Sequence, residues 1–138
     1  MQQELSRKLA AIMFTDIFGF SSLMEKDEAN AMEMKRVFKE VLDQFHRQYH
    51  GEIIKEMGDG SLSVFTNPVD AVWCAVDIQK ALRVPVNIPV RIGIHTGNVL
   101  FQQGDIMGDA VNIASRMESF AAPGSVFISG KVYDEIKN

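Results

Sequence analysis

After its leading lysine, Lys8-Leu9-Ala10-Ala11-Ile12-Met13-Phe14 is an unbroken apolar run of strand length. Such a run suits a strand covered on both faces near the middle of a sheet. It stops abruptly at Thr15-Asp16, where the acid is either a cap for the next segment or a ligand, and Gly19 lets the backbone turn sharply. From Asp27 the apolar residues fall at steps of three and four, namely Met34, Val37, Phe38, Val41, Leu42, Phe45 and Tyr49. This spacing predicts an amphipathic helix that Gly51 ends. Glu52 to Met57, with the β-branched pair Ile53-Ile54, reads as a second strand. Strand, helix and strand make a crossover, so the two strands run parallel and their C-terminal ends share one sheet edge.

Gly58-Asp59-Gly60 then separates the second strand from Ser61 to Phe65, where Ser61 and Ser63 alternate with apolar neighbours. Asp-Gly tolerates the backbone of a tight hairpin turn, which predicts Asp59 exposed at the tip. Alone, Asp59 reads as a turn residue. If the return strand pairs between the two parallel strands, however, Asp16 and Asp59 become neighbours. Carboxylates side by side repel unless a cation lies between them, and Mg²⁺ takes one or two carboxylates together with substrate phosphates. A metal site is thereby expected.

Asn67-Pro68 reads as cap and first position of a helix to about Leu82 that buries Val72, Ala75, Val76 and Ile78. Val90 to Gly97 alternates like a strand, and His95, without a second ligand at metal spacing, reads as a hydrogen-bonded strand residue. After a hairpin-like Val99 to Gln103, a helix from about Asp109 to Ala121 is expected to bury Ile113, Ala114, Met117, Phe120 and Ala121. Asn112 and Arg116 lie one turn apart on its other face. Val126 to Ile128 reads as a strand, with Ser129 capping a last helix.

The chain has 138 residues, 46% hydrophobic, which suits one domain over 1–138. A net charge of −4 with interspersed signs lacks the basic stripe of a nucleic-acid binder. The single cysteine, Cys74, lies among apolar residues and reads as a buried thiol, in keeping with a reducing cytosol. There is no apolar run long enough to span a bilayer and no signal peptide at Met1 to Glu4.

Four segments together resemble the class III adenylyl and guanylyl cyclases: Phe14 to Ser21, Lys55 to Gly60, Arg91 to Gly97, and Asp105 to Arg116. The resemblance implies an α+β fold of ferredoxin-like, palm type, with a mostly antiparallel sheet, a βαββαβ core and C-terminal additions. It implies two Mg²⁺ (or Mn²⁺) ions per site, held by Asp16, Asp59 and the Ile17 carbonyl. Phe18, Gly19, Phe20 and Ser21 would cradle phosphates with their amides. Lys55 and Asp105 would read adenine, Asn112 would hold the ribose, and Arg116 would offset charge on the α-phosphate. The implied reaction is ATP to 3′,5′-cyclic AMP and pyrophosphate, at sites shared by a head-to-tail, two-fold homodimer.

A guanylyl cyclase, or a cyclase-like nucleotide-binding and regulatory module without turnover, are the alternatives. Where some relatives carry a phosphate-binding arginine after His-Thr-Gly, this chain has Asn98. The family domain continues beyond the position of Asn138 with a triphosphate-binding lysine, so a truncated domain is expected, with a regulatory domain in the full-length protein.

Overall fold

A computed structural model describes residues 5–138 apart from Val86, so the Met1 to Glu4 stretch lies outside the described residues. The elements are β1 (Ser6–Ile17), α1 (Phe20–Lys26), α2 (Glu28–Gln48), β2 (Glu52–Met57), β3 (Gly60–Phe65) and α3 (Pro68–Ala81). They continue with β4 (Val90–Gln102), β5 (Asp105–Met107), α4 (Asp109–Phe120), β6 (Val126–Ile128) and α5 (Gly130–Ile136).

The strands run in the order β2-β3-β1-β4-β5, every neighbour antiparallel, with β6 parallel to β4. Because β3 pairs with both β1 and β2, those two are parallel, as the crossover requires. Alternation along β1 divides the core in two. Ala11, Met13 and Ile17 join Phe38, Leu42, Cys74 and Ile78 on the side of α2 and α3. Ala10 and Ile12 join Leu62, Val99, Ile106 and Ala114 on the side of α4. Although β2 and β5 end the strand order, they touch, so the sheet curls around the α4 side.

Local chemistry explains the element ends. Asp27 caps α2 by accepting from the Asn30 amide, Asn67 caps α3 with Pro68 at the first position, and Ser129 caps α5. Cys74 is buried as expected, and burial pushes its thiol up to about 12, which leaves it inert. His95 is structural as expected, its Nδ1 sharing a hydrogen bond of 2.7 Å with Ser129 Oγ.

Several expectations are corrected. β1 is covered only from Ala10 onward, since Arg7, Lys8 and Leu9 are exposed. β3 does not alternate: Ser61 and Ser63 are fully buried because the strand is central and α2 covers its other face. Ser61 is satisfied by Thr15 Oγ1 at 2.7 Å, and Ser63 donates to His46 Nε2 at 2.8 Å. Val72 and Val76 of α3 are only half-buried, its core residues being Ala71, Cys74, Ala75, Ile78 and Gln79. β4 runs on as one strand through Gln102. On α4 the buried stripe is Ala110, Ala114 and Glu118, while Phe120 points to solvent. That rotation brings an acid onto the sheet.

Candidate active site

Asp16 is the next-to-last residue of β1 and shares the parity of Ala10, Ile12 and Phe14, so it faces α4. Its strand neighbours are Gly60 on β3 and Arg91 on β4. A Cβ at Gly60 would lie 2.1 Å from the Thr15 carbonyl oxygen, so only glycine permits this approach. The Gly58-Asp59 turn is thereby drawn over the end of β1, where the Ile17 amide donates to the Asp59 carbonyl at 2.9 Å. Gly58, with φ 59, carries the left-handed turn conformation in place of the Asp-Gly pair, and Asp59 is half-buried and not exposed at a tip. Two acids distant in sequence thus meet at one strand end, on the edge where the crossover puts them.

Arg91 is a member of this group that the sequence pattern did not single out. Its Nε donates to Asp16 Oδ1 at 3.0 Å, its Nη2 to Asp16 Oδ2 at 2.7 Å, and its Nη1 to the Ser119 carbonyl at 3.3 Å. This is a bidentate fork on a pair largely shielded from water. The exposed Phe18 ring lies beside the same guanidinium, 5.5 Å from its centre. Glu118 is the fourth charged group here, with Oε2 3.3 Å from Arg91 Nη2. Burial first, then the Asp16 charge, pushes the Glu118 carboxyl up to about 7. The alternation of β4 puts Arg91 opposite Asp16 and could have disclosed it; the phase of α4 hid Glu118. Asn98 lies opposite Leu9, at the far end of β4 from this cluster.

Beyond Ile17 the chain turns through Gly19, at φ 75, into α1, whose N-terminus has no side-chain cap. The Phe18 amide is already committed to the Pro89 carbonyl at 2.7 Å, so it drops out of the expected phosphate cradle. Gly19, Phe20 and Ser21 lie at a first turn whose amides lack intrahelical partners. Phe20 packs partly on the core and fixes the turn to the sheet.

Lys55 and Asp105 come from the two ends of the strand order and meet, Nζ to Oδ1, at 3.3 Å. A register shift between Ile53 and Lys55 aligns Lys55 with Leu62. Without that bulge Lys55 would fall opposite Ser61 and face α2; with it, the ammonium points to the α4 side. Asp105 is held by its own neighbour, the Ile106 amide donating to Oδ1 at 2.8 Å. That bond, then Lys55, keeps its carboxyl below the usual range. Both side chains are about half exposed, so water screens the ion pair and it opens readily.

Asn112 and Arg116 are exposed on α4, and among the described residues neither side chain has a hydrogen-bond or ion-pair partner. They are one turn apart. Glu118, two residues after Arg116, points the opposite way, into the sheet. Arg116 therefore faces outward while the acid cluster of the same chain lies behind the helix.

The chain belongs to the nucleotide cyclases: the Adenylate and Guanylate cyclase catalytic domain matches residues 3–138. Among individual proteins, it is 36% identical over 144 residues to "Putative adenylate cyclase 3" of Rhizobium meliloti, covering 98% of this chain and 24% of that protein. It is 26% identical to an adenylate cyclase of Streptomyces coelicolor, covering 97% of this chain and 36% of that one. The chain thus spans about a quarter to a third of these curated relatives. The crystal structure of an adenylate/guanylate cyclase/hydrolase from Silicibacter pomeroyi superposes with TM-score 0.87 at 36% identity, over 95% of this chain and 81% of that one. The adenylyl cyclase CyaB from P. aeruginosa gives 0.87 at 26% identity, over 97% and 83%. Among the described residues no helix is long and apolar enough to cross a membrane.

Proposed function

We propose that this chain is the catalytic domain of an adenylate cyclase that forms 3′,5′-cyclic AMP and pyrophosphate from ATP at a site shared by two copies. The observation that carries the choice of ATP is the meeting of Lys55 and Asp105 at 3.3 Å. Adenine presents a ring nitrogen acceptor beside an amine donor, which suits an ammonium next to a carboxylate. Guanine presents the reverse and would leave both protein groups unmatched.

Asp16, Asp59 and the Ile17 carbonyl form an all-oxygen donor set, which suits Mg²⁺ or Mn²⁺ and not a thiolate metal. Among the described residues no group of three or more His, Cys, Asp or Glu could hold a metal. That fits an ion which takes one or two carboxylates and completes its shell from water and phosphate. When bound, two such ions lower the pKa of the ribose 3′-hydroxyl and neutralise the departing pyrophosphate.

The chain's own residues do the rest. The amides of Gly19, Phe20 and Ser21 receive the β- and γ-phosphates, and Arg91, at the same end, adds a guanidinium to them. Lys55 and Asp105 fix the base, and Asn112 the ribose, so that the 3′-oxygen stands in line with the α-phosphorus. As that O–P bond forms and the bond to pyrophosphate breaks, Arg116 balances the charge growing on the α-phosphate. Because Asn112 and Arg116 face away from Asp16 of their own chain, a second copy is needed to bring them to it. A head-to-tail, two-fold pair supplies two equivalent sites. ATP and a reducing cytosol are the matching surroundings for a domain with one buried thiol.

The test is cyclic AMP formation from ATP by the full-length protein with Mg²⁺ or Mn²⁺. Turnover with ATP over GTP, lost in Asp16→Ala, is expected. Absence of product with both ions would leave only a nucleotide-binding module, and faster turnover of GTP would remove the roles given to Lys55 and Asp105.

A further inference from the structure

Glu118 has no place in the site as sequence alone describes it, yet its position is tightly specified. A Cβ at Gly93 would lie 2.2 Å from the Glu118 amide nitrogen and 2.6 Å from its Cα, so α4 rests directly on the backbone of β4. The helix cannot slide without losing that contact. The Glu118 side chain is then held beside Arg91 in a setting that water hardly reaches, the residue being 8% exposed.

Its bonding is incomplete. Oε2 is buried and makes no hydrogen bond, although Arg91 Nη2 lies 3.3 Å away. The fork on Asp16, with Nη2 2.7 Å from Oδ2, fixes the plane of the guanidinium, and in that orientation the second hydrogen of Nη2 is not aimed at Glu118 Oε2. One guanidinium thus stands between two carboxylates and satisfies one of them. A buried acid with an unmet oxygen is costly and rare in native proteins, and asks for an explanation.

We propose that Glu118 is a positioning residue, the second seat for the Arg91 guanidinium once a divalent cation takes Asp16. This rests on the cyclase reading, in which Asp16 is a metal ligand. In the metal-free chain the fork on Asp16 balances that carboxylate. A cation arriving there competes with Arg91 for the same oxygens. With Glu118 already within 3.3 Å, a turn of the guanidinium about its own terminal bonds moves Nη2 from one acid to the other. The Ser119 carbonyl, which holds Nη1 at 3.3 Å, is the adjoining residue of the same helix and keeps the head in place during the exchange. The released guanidinium stays beside the phosphate end, and the buried Glu118 oxygen gains its partner.

The test is a double-mutant cycle read on Mn²⁺ binding, by titration calorimetry or the free-ion paramagnetic signal, in the full-length protein without nucleotide. Asp16→Ala is expected to abolish site binding; if binding persists, the metal assignment itself fails. With that control in place, Glu118→Gln is expected to weaken Mn²⁺ about tenfold, the scale of coupling between charged neighbours that share a hydrogen bond. The loss should vanish when Arg91→Gln is added, because no guanidinium then competes for Asp16. An unchanged affinity in Glu118→Gln would overturn the proposal, as would an equal loss in the presence and absence of Arg91, which marks a merely structural role. Glu118→Leu, with thermal unfolding monitored in parallel, serves if the glutamine variant does not fold.

Discussion

Gly93→Ala is the substitution on which the packing of the site can be tested most sharply. The new methyl would lie 2.2 Å from Glu118 N, 2.6 Å from Glu118 Cα and 2.7 Å from the Met117 carbonyl carbon, all backbone atoms that no rotamer change can move aside. Restoring an ordinary contact of 3.4 Å needs a displacement of roughly 1.2 Å, the difference between 3.4 and 2.2. The other end of α4 packs closely on the same strand, since a Cβ at Gly97 would lie 2.8 Å from Ala110 Cβ. Overpacking of this kind costs about 1 to 3 kcal/mol, offset by about 0.4 to 1 kcal/mol from the lost chain freedom of glycine. The net loss, about 1 to 2 kcal/mol, lowers the unfolding temperature by roughly 3 to 10 °C. The same shift carries Asn112, Arg116 and Glu118 with the helix, and a 1 Å misplacement costs about a hundredfold in rate. Urea unfolding and cyclic AMP turnover measure the two effects. Gly130→Ala, where nothing lies within 4 Å and φ is ordinary, is the control and should be neutral or slightly stabilising. If Gly93→Ala matched wild type in both assays, α4 would not rest on β4 as described.

Three further outcomes are expected. Lys55→Glu combined with Asp105→Cys should shift preference from ATP toward GTP, and competition between the two nucleotides measures it; unchanged selectivity would remove those residues from base reading. His46, 2% exposed, has its pKa lowered, by burial first, so protonation favours the unfolded chain. Its contribution is present above the unfolded value near 6.5 and is lost as pH falls toward the lower folded value. Urea midpoints from about pH 7.5 to 5 should fall further, or rise less, in wild type than in His46→Gln, while Glu118, its carboxyl pushed up to about 7, adds stability over that range in both chains and His95, also lowered by burial, opposes it in both. Gly60→Ala should separate the acids, because its methyl would meet the Thr15 carbonyl oxygen at 2.1 Å, and a marked loss of Mn²⁺ affinity is the check.

The sequence disclosed those features that depend on local pattern. The run from Lys8, the long helix and Ile53-Ile54 together determine a crossover, and with it the common edge of Asp16 and Asp59. What escaped depends on three-dimensional phase. The bulge at Ile54 that turns Lys55 toward Asp105 leaves no mark in an apolar pair. The fully buried serines of β3 look like a solvent face until Thr15 and His46 are placed against them. On α4, volume suggested Phe120 as core, but the close approach at Gly93 selects small Ala110 and Ala114 and brings Glu118 inward, leaving Phe120 outside. The Phe18 amide was lost to the expected cradle for a related reason: its partner, Pro89, belongs to a loop distant in sequence.

Complementation between two inactive chains tests the shared site most directly. Asp16→Ala removes the metal end and Arg116→Ala the outward face of α4, so each variant alone should form no cyclic AMP. In a one-to-one mixture that exchanges subunits freely, half of the pairs are mixed and each mixed pair has one intact site of two, so about a quarter of wild-type turnover should return. A mixture as inactive as its parts, with mixed pairs shown to form, would mean that the acids and Arg116 do not meet across two chains.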